Sequence, residues 1–184
     1  PPPVIGPVII SEIMYNPPAG GDEFIELYNI SNVAVALHDA AAPSVAWRID
    51  DDTATAFAFP AGVTLGPRQC LVIAGAGCDP EAFRTKYAIH ADVQVLGPCV
   101  RGLGNEGDAV RLFRTLDGGA GIHELAEEVV YAGAWPWPVE ADGLGASLER
   151  IIPCGPANDV ASWRADTAGT PGRVVPEPSA LAIG

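Results

Sequence analysis

The stretch 8–31, VIISEIMYNPPAGGDEFIELYNIS, constrains the fold of this chain more than any other. Val8–Tyr15 is a run rich in β-branched residues, and Phe24–Ile30 is a second apolar run broken by one acid, Glu26. Between them, NPPAGGDE excludes both helix and strand, because Pro and Gly punctuate it. The segment therefore reads as two strands joined by a turn-rich loop. On the second strand Phe24, Glu26 and Tyr28 share one face, and Ile25 and Leu27 share the other. If Ile25 and Leu27 face the core, Glu26 lies on the outer face beside Tyr28. If the aromatic face is inside, Glu26 needs a cationic partner. Arg48 and Arg164 each follow a Trp and carry the bidentate fork suited to that pairing. The expectation is a partly buried, structural Glu26, with Glu26, Arg48 and Arg164 as the candidate ion-pair set.

The rest of the chain repeats short strands. Segments near 33–37, 47–50, 55–59, 69–74, 93–96, 109–116, 124–131 and 146–152 read as strands separated by Gly- and Pro-rich turns. DGGAG between the segments 109–116 and 124–131 predicts a hairpin. One helix is expected over 79–87: Asp79 can N-cap, Pro80 takes the first helical position, and Phe83 and Tyr87 fall four apart. With 21 Gly and 18 Pro among 184 residues, the pattern predicts an all-β fold, a two-sheet antiparallel sandwich with one short helix. The length fits one domain plus a tail.

Ten Lys and Arg stand against 23 Asp and Glu. Such a surface repels phosphate backbones, so nucleic-acid binding is disfavoured. No apolar run is long enough to span a bilayer and nothing reads as a signal peptide. The opening PPPVIGP looks like a linker or a mature N-terminus. The four cysteines, Cys70, Cys78, Cys99 and Cys154, show no zinc spacing. Their even count suits two disulfides. Cys78 and Cys99 flank one excursion of the chain, which favours Cys78–Cys99 with Cys70–Cys154; free buried thiols are the competing reading.

Catalytic chemistry has little to stand on. His38, His90 and His123 sit in unrelated contexts, with no GxSxG and no HExxH. The neighbouring acids Asp22/Glu23 and Glu127/Glu128 point to opposite faces of an extended chain, so they read as solvated rather than as an acid–base pair. Asp50-Asp51-Asp52 is the densest acid cluster and the candidate for a weak Ca²⁺ site, although no EF-hand spacing is present. GLGNEGD lacks the Lys and the following helix of a phosphate loop, so it reads as a turn. Trp135 and Trp137, set between prolines, form a candidate platform for sugar rings or Pro-rich peptide, or a plug at one end of the sandwich.

Several strings in order resemble one family: ISEIMYNPP, DEFIELYN, WRIDD, FPAGVTLGPRQCLVIA, AFRTKY, LGNEGDAVRLF, WPVEADGLGASLER and WR followed by GTPG. Together, from about Val8 to Gly172, they resemble the lamin tail domain as it occurs in secreted bacterial proteins. DAAAPSVAWRID departs from the shorter junction usual before that strand, and the cysteines are not part of the pattern. The resemblance implies an immunoglobulin-like β-sandwich and a non-catalytic structural or adhesion role at the surface of a Gram-negative-type bacterium. VPEPSAL near the C-terminus resembles the start of a PEP-type sorting signal, without its apolar helix and basic cluster. The implied layout is a Pro-rich arm at 1–7, the sandwich at 8–172 and a tail at 173–184. The implied partners are other copies of the chain or a surface polysaccharide or protein, with no resident cofactor. A fibre subunit, its N-terminal arm adding a strand to a neighbour, and a polysaccharide- or Ca²⁺-binding module are the alternatives.

Overall fold

The computed structural model describes residues 6–173, apart from 52–53, 117, 119–120, 168 and 170. Twelve strands follow in chain order: β1 (Val8–Met14), β2 (Phe24–Asn29), β3 (Val35–Ala36), β4 (Arg48–Asp50), β5 (Thr55–Ala58) and β6 (Thr64–Leu65). After β7 (Cys70–Ala74) comes the helix α1 (Pro80–Lys86), then β8 (Gln94–Leu96), β9 (Gly107–Thr115), β10 (His123–Ala132), β11 (Ser147–Arg150) and β12 (Trp163–Asp166). A six-stranded sheet runs β12-β11-β1-β2-β7-β8 and faces a four-stranded sheet, β10-β9-β4-β5. The pair β3-β6 stands apart. The fold is an immunoglobulin-like β-sandwich, as expected.

One pairing departs from the antiparallel rule. β8 runs parallel to β7, because α1 lies between them and a helical crossover returns the chain in the same direction. The helix forms where its caps predict. The Asp79 side chain accepts the Ala82 N–H at 2.8 Å, and Pro80 occupies the first turn. Phe83 buries its ring edge-on against Phe24, centroids 5.9 Å apart.

The spacing of apolar residues in β1 dictates a bulge. Val8 and Ile10 face the core in step with Ile13 and Tyr15. The interval from Ile10 to Ile13 is three, which a regular period of two cannot serve. The register with β2 accordingly shifts between Ile10 and Glu12. The extra residue turns Glu12 outward and returns Ile13 to the core. The main core joins Ile25, Leu27, Leu71, Ile73 and Leu148 of the large sheet to Ile49, Phe57, Val110, Leu112 and Val129 of the small one.

Ile25 and Leu27 thus face inward, and the aromatic face of β2 faces outward. That outer face is nevertheless buried. Phe24 packs with Met14, Val72, Phe83 and Ile89, and Tyr28 packs with Ile9 and Cys70. β2 is buried along its whole length, and an acid at its centre has to be accommodated in a dry layer.

The N-terminal stretch pairs within its own chain from Pro7 onward. The Ile30 N–H donates to the Pro7 carbonyl at 2.8 Å, and Val8, Ile9 and Ile10 register with Asn29, Tyr28 and Leu27. Residues 1–5 lie outside the described residues.

Candidate functional site

The bulge in β1 creates a row of three carboxylates across three neighbouring strands. Glu12 stands in register with Glu149 of β11 on one side and Glu26 of β2 on the other. All three are buried: Glu26 is 2% exposed, Glu12 3% and Glu149 8%. The row ends in a cation only at its outer edge, where Arg164 of β12 sits opposite Glu149 and its Nε donates to Oε2 at 2.5 Å. A small recess beside the row is lined by Ser11, Tyr28, Arg150 and Arg173 as well as the three acids. Its free volume is about 10 Å³, room for about one water molecule.

Neutral donors rather than cations hold the inner two acids. The Ser11 hydroxyl donates to Glu26 Oε1 and the Gly172 N–H to Oε2, each at 2.7 Å. The Ser147 hydroxyl donates to Glu12 Oε1 at 2.5 Å. Burial drives the Glu26 carboxyl up to about 7, against the pull of its donors. Burial, together with the charges of Glu26, Asp166 and Glu149, holds Glu12 well above the ordinary carboxylate range. Desolvation and the adjacent Glu26 likewise push the Cys70 thiol up to about 12, so it is not a nucleophile near neutral pH. Two like charges facing each other across a strand pair repel. Protons on Glu12 and Glu26, the two carboxyls that burial raises, relieve that repulsion.

The inner face of the same strands carries a second buried network. In β11 Leu148 and Arg150 point inward while Ser147 and Glu149 point outward. Arg150 is 2% exposed. It donates to Glu127 Oε1 and to the Gly155 carbonyl, each at 2.6 Å, and lies 5.7 Å from the Trp163 ring centre. Glu127 belongs to the opposite sheet, where β10 has its own bulge between Leu125 and Glu127. Its second oxygen accepts the Ile10 N–H at 2.6 Å. The two bulges are bridged by one ion pair, which also satisfies a backbone group beside the β1 bulge.

The predicted site residues are placed as follows. Glu26 does not meet either arginine. Arg48 donates to both oxygens of Asp50 at 3.0 Å, and Arg164 pairs with Glu149, two strands away from β2. The correction follows from the bulge, which puts Glu12 between them. The disulfides are also corrected: Cys70, Cys78, Cys99 and Cys154 are free. Cys99 belongs to the main core, Cys70 to a patch on the outer face, Cys78 to the helix-side cluster, and Cys154 is exposed. The paired cysteines of either predicted bridge thus occupy different packing layers. The acid cluster is also dispersed. Asp50 is taken by Arg48, Asp51 caps Ala54 and faces Arg101, and Asp52 lies outside the described residues. Among the described residues no group of three or more His, Cys, Asp or Glu has metal-holding geometry.

The adjacent acids were expected to be solvated and are engaged. Glu128 pairs with Arg111 at 2.5 Å and Asp22 with Lys86 at 2.5 Å. Glu23 accepts the Leu103 N–H at 2.9 Å. The three histidines remain apart: His38 meets the Val63 carbonyl, His123 the Ala46 carbonyl, and His90 the exposed Asp92. Trp135 and Trp137 diverge. Trp135 is 86% exposed, whereas Trp137 is 7% exposed and stacks near Trp163 with centroids 6.1 Å apart. A two-ring platform is not formed. Trp137→Ala is expected to cost about 3–5 kcal/mol by opening a cavity, while Trp135→Ala should leave the urea midpoint within experimental error; equal losses at the two positions would contradict this placement.

Sequence reasoning missed Glu12, Ser147, Glu149 and Arg150, and read Glu127 as solvated. The signal for Glu12 is present: the three-residue step from Ile10 to Ile13 demands a bulge. For the others only the assembled sheets supply the partner.

The layered sheets, their shared core and the absorbed acids define a structural immunoglobulin-like sandwich. A family model described as Lamin Tail Domain matches residues 1–128, and the chain belongs to the lamin tail domain family. The matched range ends within β10, so β11 and β12, which complete the large sheet and supply Glu149 and Arg150, lie beyond it. No curated protein matches the chain.

Proposed function

We propose that this chain is a non-catalytic interaction module of a bacterial surface or secreted protein, serving adhesion or assembly outside the cell. Membership of a family of structural sandwich domains carries the reading. It is supported by the use of the titratable groups: Glu12, Glu26, Glu127, Glu149 and Arg150 are consumed inside the fold rather than converging on an open cleft. The acidic surface, with a formal net charge of −13, turns the partner away from nucleic acid and towards a surface polysaccharide, a protein or another copy. VPEPSAL resembles the start of a PEP-type sorting signal, a likeness that supports a location at the surface of a Gram-negative-type bacterium. No resident cofactor belongs to this reading.

Trp135 favours a sugar-binding version, because a single exposed indole offers a flat apolar face to a pyranose ring. The full chain, immobilised and probed with surface polysaccharides, is expected to retain a subset of them, and Trp135→Ala to weaken that retention at least about tenfold. Turnover of any glycan, or retention indifferent to the substitution, would overturn the sugar-binding version; turnover would overturn the non-catalytic reading as well. A fibre built by strand addition is the weaker reading. Pro7–Ile10 already pair with their own chain, and the edge strands are blunted: the Val130 N–H of β10 is taken by the Asn158 side chain, and the Ala56 carbonyl of β5 by the Val100 N–H.

A further inference from the structure

The outer face of the large sheet is covered in two parts. α1 and the turn after it cover the side of β7 and β8. Gly169 and residues 171–173 cover the middle. A Cβ at Gly169 would lie 3.3 Å from Met14 Cε, and one at Gly172 only 2.9 Å from Ile89 Cγ2 and 3.4 Å from Val93 Cγ1. Pro171 is buried. Gly172 has φ +85°, a left-handed conformation that glycine adopts without strain. Gly169, Pro171 and Gly172 therefore lie close against the sheet, and the Gly172 N–H donates to Glu26 Oε2. Arg173 follows at the rim of the recess.

The position of Glu26 gives this segment a chemical consequence. An outward residue on a central strand is shielded only by what lies above it, and here the strap shields it. The groups that face Glu26 are Ser11 and Glu12 from β1, Tyr28 from β2, Cys70 from β7, Glu149 from β11, and Arg173 from the strap; Arg150 borders the recess but turns its guanidinium to Glu127 on the inner face, and Arg164 and Asp166 of β12 act on the row from its outer end. Arg173 is the only one of these cations carried by the strap. It draws the strap toward an ionised row, while dehydration and the facing acids oppose an ionised row beneath a closed strap.

We propose that residues 171–173 form a proton-sensitive strap, held down while Glu26 is protonated and loosened when Glu26 ionises beneath it. A carboxyl that is costly to ionise under cover ionises more readily once the cover lifts and water reaches it, so deprotonation favours the open strap by linkage. The single Gly172 N–H bond is a weak counterweight, because one neutral donor replaces only part of a carboxylate's hydration shell. Opening would expose Ile89 and Val93. The strap is bonded to the sheet's buried Glu26, and it yields before the sheet beneath it does.

Hydrogen exchange at Gly172, corrected for the intrinsic rate, tests this in the full chain. Protection at pH 8.5 is expected to fall at least about tenfold below that at pH 5.5, with β2 and β7 unchanged. Glu26→Gln should keep the strap protected at both pH values: its carbonyl can accept the Gly172 N–H and its amide can donate to Ser11, as the protonated acid does. Arg173→Gln should make the alkaline loss larger. Protection that is the same at both pH values, that rises with pH, or that still falls in Glu26→Gln would overturn the strap. If Glu26→Gln proves unstable, the Arg173→Gln titration decides alone, and a loss no larger than in the natural chain would overturn the proposal.

Discussion

Arg150→Ala is expected to destabilise the domain by about 3–5 kcal/mol, the largest loss of any single polar substitution considered. The guanidinium is buried, joins the two sheets through Glu127, and also holds the Gly155 carbonyl. Its removal leaves Glu127 dehydrated without a cation. Burial already raises that carboxyl, and Arg150 is the group that opposes the rise. Glu127→Ala should cost a similar amount, because it strands the arginine and deprives the Ile10 N–H of its acceptor. The double variant Glu127→Leu/Arg150→Met should recover part of the loss, since apolar side chains of similar volume replace a buried pair at little net cost. Recovery stays incomplete because the Ile10 N–H loses the carboxylate to which it donates. Urea unfolding of the four proteins measures this directly. Additive losses in the double variant would show that the two side chains act independently, contrary to the geometry.

The second large effect is a stability that falls as pH rises. Glu26 and Glu12 hold protons more tightly folded than unfolded. Folding then takes up protons, and the slope of unfolding free energy with pH is negative where the two states differ. The contribution is complete below the ordinary carboxylate value of 4.5 and is lost as pH climbs toward about 7 for Glu26; the raised Glu12 carboxyl adds a loss of the same sign. At about 1.4 kcal/mol per pKa unit, the Glu26 part amounts to roughly 3 kcal/mol between pH 4.5 and about 7. Glu26→Gln should therefore melt with the natural protein at pH 4.5 and above it at pH 8, the gap approaching roughly 3 kcal/mol. A substitution that lowers the midpoint at pH 8 would mean that the carboxylate is stabilised in the fold, with an unseen cation as the simplest source.

Much of the architecture was readable because it depends on local rules. Turn residues and period-two runs placed the strands, and Asp79-Pro80 placed the only α-helix among the described residues. Ordered strings placed the chain in its family. The alternation in FIELYN put Ile25 and Leu27 on one face and Phe24, Glu26 and Tyr28 on the other without saying which face is inward; the sheet turns Ile25 and Leu27 to the core. What alternation could not reveal is that the opposite face is covered too, by α1 and by a segment almost 150 residues further along. Glu26 for that reason sits outward and dry at once. Its partners were misassigned because a Trp-Arg pair in sequence says nothing about strand order: Arg164 lies beyond Glu149 and Glu12 in the row, and Arg48 belongs to the other sheet. The cysteines failed for a related reason. Even counting ignores layers, and each predicted bridge would have had to cross from one packing cluster to another or to the surface. Glu127 was misread because an acid beside another acid looks solvated until a bulge turns one of them inward.

The most direct test of a proton-held carboxylate row is an NMR titration of the glutamate side-chain carboxyl carbons in the full chain. The expected result is a Glu26 midpoint at about 7 and a Glu12 midpoint well above the ordinary 4.5. Midpoints for both near 4.5 would contradict it, and would mean that cations or water, rather than protons, settle the charge beneath the strap.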